Sequence, residues 1–158
     1  MLDFESTGLN TGKARIIEIG AVKLEGGEVV DEFSQLVDPG QALGPEITEL
    51  TGISDAMLQG QPKAAEALPQ LLAFIGDAPI AAHNAHFDAN LLKAELQRLD
   101  MSLSVPVLDT LAYARKLYPE LKSFRLAAVC KHLGVSLKNA HRAVHDARAT
   151  ALCLKRMF

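Results

Sequence analysis

Three short stretches carry acidic side chains whose setting could bring them together. They are Asp3 and Glu5 in Leu2-Asp-Phe-Glu-Ser-Thr-Gly-Leu9, Asp88 in His83-Asn-Ala-His-Phe-Asp88, and Asp146 in His141-Arg-Ala-Val-His-Asp146. Carboxylates that converge repel one another unless cations lie between them. Ligation by oxygen alone selects hard ions such as Mg²⁺ or Mn²⁺ over zinc. Four carboxylates around two such ions, with a histidine beside them, make a site suited to cleaving phosphodiesters.

Each residue also has a plainer reading. In an extended strand alternate side chains share a face, so Asp3 and Glu5 point together while Phe4 points into the core. The Gly8-Leu9 turn leaves the pair at the C-terminal end of a strand, where ligands bind in α/β sheets. Alone, the pair reads more readily as a surface strand edge. Asp88 falls in the first turn of a helix that follows a short buried strand, a place where the helix dipole favours an acid. Asn84 is a candidate N-cap for that helix, and Asp109-Thr110 reads as another cap.

His141 and Asp146 are five residues apart, about 500° of rotation on a regular helix, so they cannot converge if both are helical. His141 therefore belongs on the loop leading into the helix and Asp146 in its first turns, which suits a general base and a metal ligand. His145 is the rival base, about 100° round the helix from Asp146 and expected to face solvent. His83, His86 and His132 read as structural or solvent-facing.

The elements that must hold these residues alternate. Arg15–Leu24 and Glu28–Val37 read as antiparallel strands joined at Gly26-Gly27. Pro45–Leu58 reads as two short helical turns interrupted at Gly52. Ala64–Ile75 is a helix with Leu68, Leu71, Leu72 and Ile75 on one face. Pro79–His83 is a short buried strand, and Ala85–Leu99 a helix with a buried stripe of Ala89, Leu92, Leu96 and Leu99. Val105–Leu108 is a last strand, and helices follow over 109–117, 124–133 and 142–157. The pattern is α/β with a mixed central sheet.

At 158 residues, 49% of them hydrophobic, the chain fits one domain with a core that needs no disulfide staples. Cys130 and Cys153 fall among apolar residues of helices and read as core packing. No apolar run approaches the ~18 residues of a membrane span, and no basic-then-apolar leader opens the chain. The expected location is cytoplasmic, without membrane attachment. Charge is unevenly spread: residues 1–114 hold 6 Lys/Arg against 17 Asp/Glu, and residues 115–158 hold 10 against 2. A basic C-terminal third beside an acidic body suits a phosphate backbone approaching a metal-loaded carboxylate site, though a solvated helical face would look the same. Lys122, Arg125, Lys138, Arg142 and Arg148 are the candidates to track that backbone.

The three motifs resemble those of the DEDDh subgroup of DnaQ-like 3′–5′ exonucleases, the group of proofreading epsilon subunits, PolC-type exonuclease domains of bacterial DNA polymerase III, and ribonuclease T. Ile47–Ser54, Leu108–Thr110 and Leu121–Leu126 are similar to intervening segments of that family, so the resemblance spans nearly the whole chain. It implies a ribonuclease H-like fold, a mixed five-stranded sheet flanked by helices, as a single exonuclease domain over residues 1–158. It further implies that Asp3, Glu5, Asp88 and Asp146 hold two Mg²⁺ or Mn²⁺ ions and that His141 deprotonates the attacking water. By the same resemblance the main chain at Ser6 and Thr7 holds the terminal nucleotide, Leu9 wedges against its base, and Phe87 packs nearby unless it belongs to the core.

Relatives usually carry several apolar residues before the first aspartate, whereas only Met1 and Leu2 precede Asp3. The first strand is therefore expected to be short or truncated. The expected activity is removal of nucleoside monophosphates from single-stranded or frayed DNA 3′ ends in proofreading or repair, with a DNA polymerase as a possible partner. An RNA exonuclease of the ribonuclease T or oligoribonuclease type, and a non-catalytic nucleic-acid-binding or polymerase-interaction module, are the alternatives.

Overall fold

A computed structural model describes residues 1–158. Strands β1 (Leu2–Ser6), β2 (Ile16–Glu25) and β3 (Glu28–Leu36) form an antiparallel meander in that order. Gly26 and Gly27 make the β2–β3 turn with φ of 59° and 81°, the left-handed pair that a tight hairpin requires. Every residue from Ile16 to Val22 is buried, because the sheet is covered on both faces.

On one face Leu2, Phe4, Ile19 and Ala21 pack with Leu68 and Leu71 of α3 (Ala64–Ile75) and with Leu91, Leu92 and Leu96 of α4 (Ala85–Arg98). On the other face Val22 packs against Ala147 and Ala151 of the C-terminal helix (Ala143–Met157). Two short helices, α1 (Pro45–Thr51) and α2 (Asp55–Leu58), are separated at Gly52, whose φ of 72° ends α1 as expected.

Strands β4 (Ile80–Ala82) and β5 (Val107–Asp109) form a separate parallel pair. The expected continuous five-stranded sheet is thus divided into three and two strands. The division has a local cause where β1 passes β4: the Phe4 N–H donates to Asp88 Oδ1 at 3.1 Å. A helix side chain takes a donor that a continuous ladder would have used. β5 begins after Pro106, which has no N–H to give and accepts from Ile80 N at 3.0 Å.

The stripe on α4 also differs from expectation. Leu92 and Leu96 are buried as expected and Leu99 packs partly on the main core, but Asp88 and Glu95 are buried as well, so two acids share the inward face. Glu95 accepts from Arg15 Nε at 2.9 Å and Ile16 N at 3.1 Å, tying α4 to the start of β2. Helices α5 (Thr110–Leu117), α6 (Leu126–Leu133) and α7 (Ala143–Met157) enclose a second core of Ala114, Val129, Cys130, Cys153 and Met157. Cys130 and Cys153 are buried free thiols in mutual contact, Sγ to Sγ 3.4 Å. No helix is long and apolar enough to cross a membrane.

Candidate active site

β1 sets Asp3 and Glu5 on one face while Phe4 enters the core. In the pairing with β2, Asp3 lies opposite Gly20 and Glu5 opposite Glu18. Asp88 comes from the first turn of α4 and Asp146 from the first turn of α7, both buried. Ligand atoms of Glu5, His141 and Asp146 all lie within 4.8 Å of one another. His141 sits on the loop before α7, exposed, with φ of 64°. Its main-chain N–H donates to Asp146 Oδ2 at 3.0 Å, so the loop and the carboxylate position each other. This is the relative placement that the helical geometry required.

The electrostatics of the cluster are those of a site short of positive charge. Burial first, then the charges of Asp88, Glu5, Asp146 and Glu18, push Asp3 well above the usual carboxylate range. Glu5 is pushed up to about 8 by burial and by Asp146, Glu18 and Asp88, with Arg142 opposing. Burial pushes Asp88 up to about 7 against the pull of the Phe4 N–H. Asp146 is raised by burial against the His141 N–H. Asp146 Oδ1 is buried and has no hydrogen-bond partner. An orphaned carboxylate oxygen beside three further acids is what a hard divalent cation would satisfy, so the donor set fits such ions.

Glu18 escaped sequence reasoning. It is 2% exposed and accepts from Arg142 Nε at 2.8 Å, from Arg142 Nη2 at 2.7 Å, and from the Ala143 main-chain N–H. A carboxylate from β2 therefore caps α7 where Arg142, the residue at the cap position, supplies no side-chain cap. The signal was present as an acid inside the apolar run Ile16-Ile17-Glu18-Ile19, since a buried charge requires a partner.

Arg142 was expected on substrate, and its guanidinium is instead clamped to Glu18. Arg148 likewise forks onto Glu32 at 2.7 and 2.6 Å. Lys138 lines a different cleft with His145 and Arg148. Thr7 was expected to offer its main chain to a nucleotide, yet its N–H donates to Arg15 O at 2.9 Å and its Oγ1 accepts from Arg15 N at 2.9 Å. The Ser6 hydroxyl donates to Gly8 O, two residues on, at 2.7 Å. Leu9, three residues after the end of β1, is 89% exposed. Phe87 is half-buried against the main core.

Asp109 is a cap, as expected, and serves two helices. Its Oδ1 accepts from Leu111 N at 3.0 Å, Asn84 N at 3.0 Å and Ala85 N at 3.3 Å. Asn84 occupies the cap position of α4 in left-handed conformation without using its side chain, and Asp109 accepts from its main-chain N–H and that of Ala85. His83 is structural, with Nε2 2.7 Å from Phe124 O and Nδ1 2.9 Å from Thr110 Oγ1. His86 pairs with Asn90 on the surface at 2.9 Å, and His132 packs on Tyr118.

Residues 1–154 match a protein family described as an exonuclease, of the RNase T type. The chain is 49% identical over 158 residues to the PolC-type DNA polymerase III of Clostridium perfringens, covering all of this chain and 11% of the polymerase. Among solved structures, exonuclease X in complex with 5′ overhanging duplex DNA superposes with a TM-score of 0.83 at 26% identity, over 99% of this chain and 88% of that one. Escherichia coli exonuclease I in complex with a dT13 oligonucleotide shares the fold at a TM-score of 0.84 and 21% identity, over 98% of this chain and 39% of that one. With its α/β fold and its family match over nearly its full length, the chain belongs to the RNase T-type, DnaQ-like exonucleases.

Proposed function

We propose that residues 1–158 act as a DEDDh exonuclease domain that removes nucleoside monophosphates from single-stranded or frayed DNA 3′ ends, in proofreading or repair within a PolC-type polymerase. The observation that carries the reading is the convergence of Glu5, His141 and Asp146 within 4.8 Å, beside Asp3 and Asp88. Asp3, Glu5, Asp88 and Asp146 would hold two Mg²⁺ or Mn²⁺ ions. Such ions, when bound, make water a nucleophile near neutral pH and stabilise a leaving oxygen.

The chain's own residues supply the rest. The His141 imidazole is exposed and hydrogen-bonded to no protein group, free to take the proton of an attacking water. Asp146 holds the His141 loop through its main-chain N–H, so losing the aspartate disturbs base and ligand together. Leu9 projects into solvent where a terminal base would meet it, and the Thr7 carbonyl and Ser6 backbone remain the nearby main-chain groups for its sugar. DNA is favoured because exonuclease X and exonuclease I were solved with DNA and because the relatives over the whole chain are DNA polymerases.

Degradation of 3′- and 5′-labelled single-stranded DNA and RNA, with Mg²⁺, Mn²⁺ or EDTA, tests the reading. The expected result is stepwise loss of DNA from the 3′ end, stopped by EDTA and by a blocked 3′ terminus. Faster loss of RNA would move the assignment to the ribonuclease alternative. Tight binding without turnover would leave the non-catalytic module. Undiminished hydrolysis after chelation would sink the metal-dependent mechanism.

A further inference from the structure

Seven of the ten basic residues in the C-terminal third fall into two groups once their partners are followed. Arg142, Arg148 and Lys155 are each paired with a glutamate of β2 or β3, and Arg156 donates to the Leu133 carbonyl. Arg115, Lys122 and Arg125 are exposed and form no ion pair. These three line one cleft of about 400 Å³, with Ser123 and Asn84, between α5 and the loop leading into α6. No acid lines the cleft. Asp109, at the start of α5, is turned onto the amides of Asn84, Ala85 and Leu111.

The cleft is held in shape by its floor. His83 joins the Phe124 carbonyl to Thr110, at 2.7 and 2.9 Å, and burial lowers its pKa, favouring the uncharged ring. The Arg115 guanidinium lies over the Phe124 ring, 5.9 Å from its centre, which limits the conformations the arginine must lose on binding a ligand. Asn84, at the rim, precedes Asp88 by four residues, about 6 Å of helix rise. At Asn84 the cleft therefore lies about one helical turn from Asp88 of the acidic cluster.

We propose that this cleft is a phosphate subsite that grips the nucleic-acid strand on the 5′ side of the bond to be cut. The inference rests on the exonuclease reading and gives it a register. An acidic body repels a polyanion, and three unpaired cations beside the carboxylates offset that repulsion while fixing the strand relative to its 3′ end. The ligand is the phosphodiester backbone itself. Arginine forks match phosphate oxygens, and phosphate contacts set position without reading sequence.

The test compares the full chain with a triple variant, Arg115→Ala, Lys122→Ala and Arg125→Ala, and with Arg148→Ala, whose charge is bound to Glu32. Steady-state kinetics are measured on a ten-nucleotide oligo(dT) and on the p-nitrophenyl ester of thymidine 5′-monophosphate, which has no upstream phosphate. On the strand the triple variant is expected to raise KM on the order of 10-fold or more with kcat little changed. The ester should lose far less. The slope of log affinity against log salt should become shallower by about 0.7 for each phosphate contact removed. Arg148→Ala should behave as the parent protein.

Equal losses on strand and ester, or a triple variant with the parent KM and salt slope, would overturn the subsite. Fluorescence anisotropy of labelled oligo(dT) in EDTA reads binding without turnover. A parent chain that binds but never cleaves would refute the exonuclease reading, and the subsite would then stand or fall on whether the triple variant binds less. The charge-retaining set Arg115→Lys, Lys122→Arg and Arg125→Lys should restore most of the affinity, and its failure to do so would also count against the proposal.

Discussion

Gly20 of β2 and Ala143 of α7 meet backbone to backbone: a Cβ at position 20 would fall inside the Ala143 carbonyl and the Val144 amide. Gly20 is also the β2 partner of Asp3. The residue that lets α7 descend onto the sheet thus faces the first carboxylate of the site, while α7 delivers the last, Asp146. The obstacle to any side chain at position 20 is backbone, which cannot swing aside, so Gly20→Ala should cost on the order of 1–3 kcal/mol as overpacking. It should also weaken Mn²⁺ binding in the folded fraction, because Asp146 moves with the helix. Thermal unfolding and calorimetric Mn²⁺ titration check this, and a variant with the parent Tm and affinity would show that α7 is not fixed by this contact.

The Glu18–Arg142 pair should behave unlike the other ion pairs of α7. Removing Arg142 leaves a buried carboxylate uncompensated, so Arg142→Ala is expected to cost roughly 2–3 kcal/mol, below the fully buried range because the arginine is partly exposed. Arg148→Ala breaks an exposed pair with Glu32 and should cost no more than about 1 kcal/mol. Urea denaturation of the two variants measures the difference directly. Equal costs would mean that the capping of α7 by Glu18 survives without its arginine.

What the sequence disclosed and what it withheld follow from range. Helix and strand positions came from local periodicity, and the separation of His141 from the helix of Asp146 followed from rotation per residue alone. The stripe on α4 was incomplete, because Asp88 and Glu95 are buried beside Leu92 and Leu96 for reasons that lie in β1 and β2, where Phe4 and Ile16 supply their hydrogen bonds. Asn84 looked like a cap because caps are read locally, yet the acceptor is Asp109, 25 residues away. The fates of Arg142, Arg148 and Thr7 depend on partners in other elements, so charge and resemblance could put them near a substrate without showing that they were already engaged.

The raised carboxylates give the metal-free protein a defined pH dependence. Glu5 goes from an ordinary 4.5 to about 8 and Asp88 from 3.8 to about 7 on folding. The folded state therefore binds more protons than the unfolded chain. The stability these groups contribute is complete below about pH 4 and is lost as pH rises through 7 to 8. A cation that binds the ionised carboxylates reverses the trend. Tm without metal should fall between pH 5.5 and pH 8.5, and the rise produced by saturating Mn²⁺ should be larger at pH 8.5. A metal-induced rise that is equal at the two pH values would show that proton and metal do not compete for this site.

The base and the ligand in the third motif can be separated because they sit on different supports. His141 offers an exposed imidazole from a left-handed loop residue, while Asp146 is buried in the first turn of α7. His141→Ala should lower the rate of 3′-end hydrolysis on the order of 10²–10⁴, the usual range for a lost general base. Its effect on Mn²⁺ affinity should be small, since the hydrogen bond to Asp146 comes from the main chain and survives truncation. Asp146→Ala should weaken metal binding as well as turnover and should release the loop that carries His141. His145 lies half-buried and lines the cleft of Lys138 and Arg148 on another side of the helix, so His145→Ala should alter neither by more than a few-fold. Single-turnover rates beside calorimetric Mn²⁺ titrations of the three variants give the comparison. If His145→Ala proved the damaging change and His141→Ala the silent one, the proton acceptor would have to be sought on the helix and not on the loop before it.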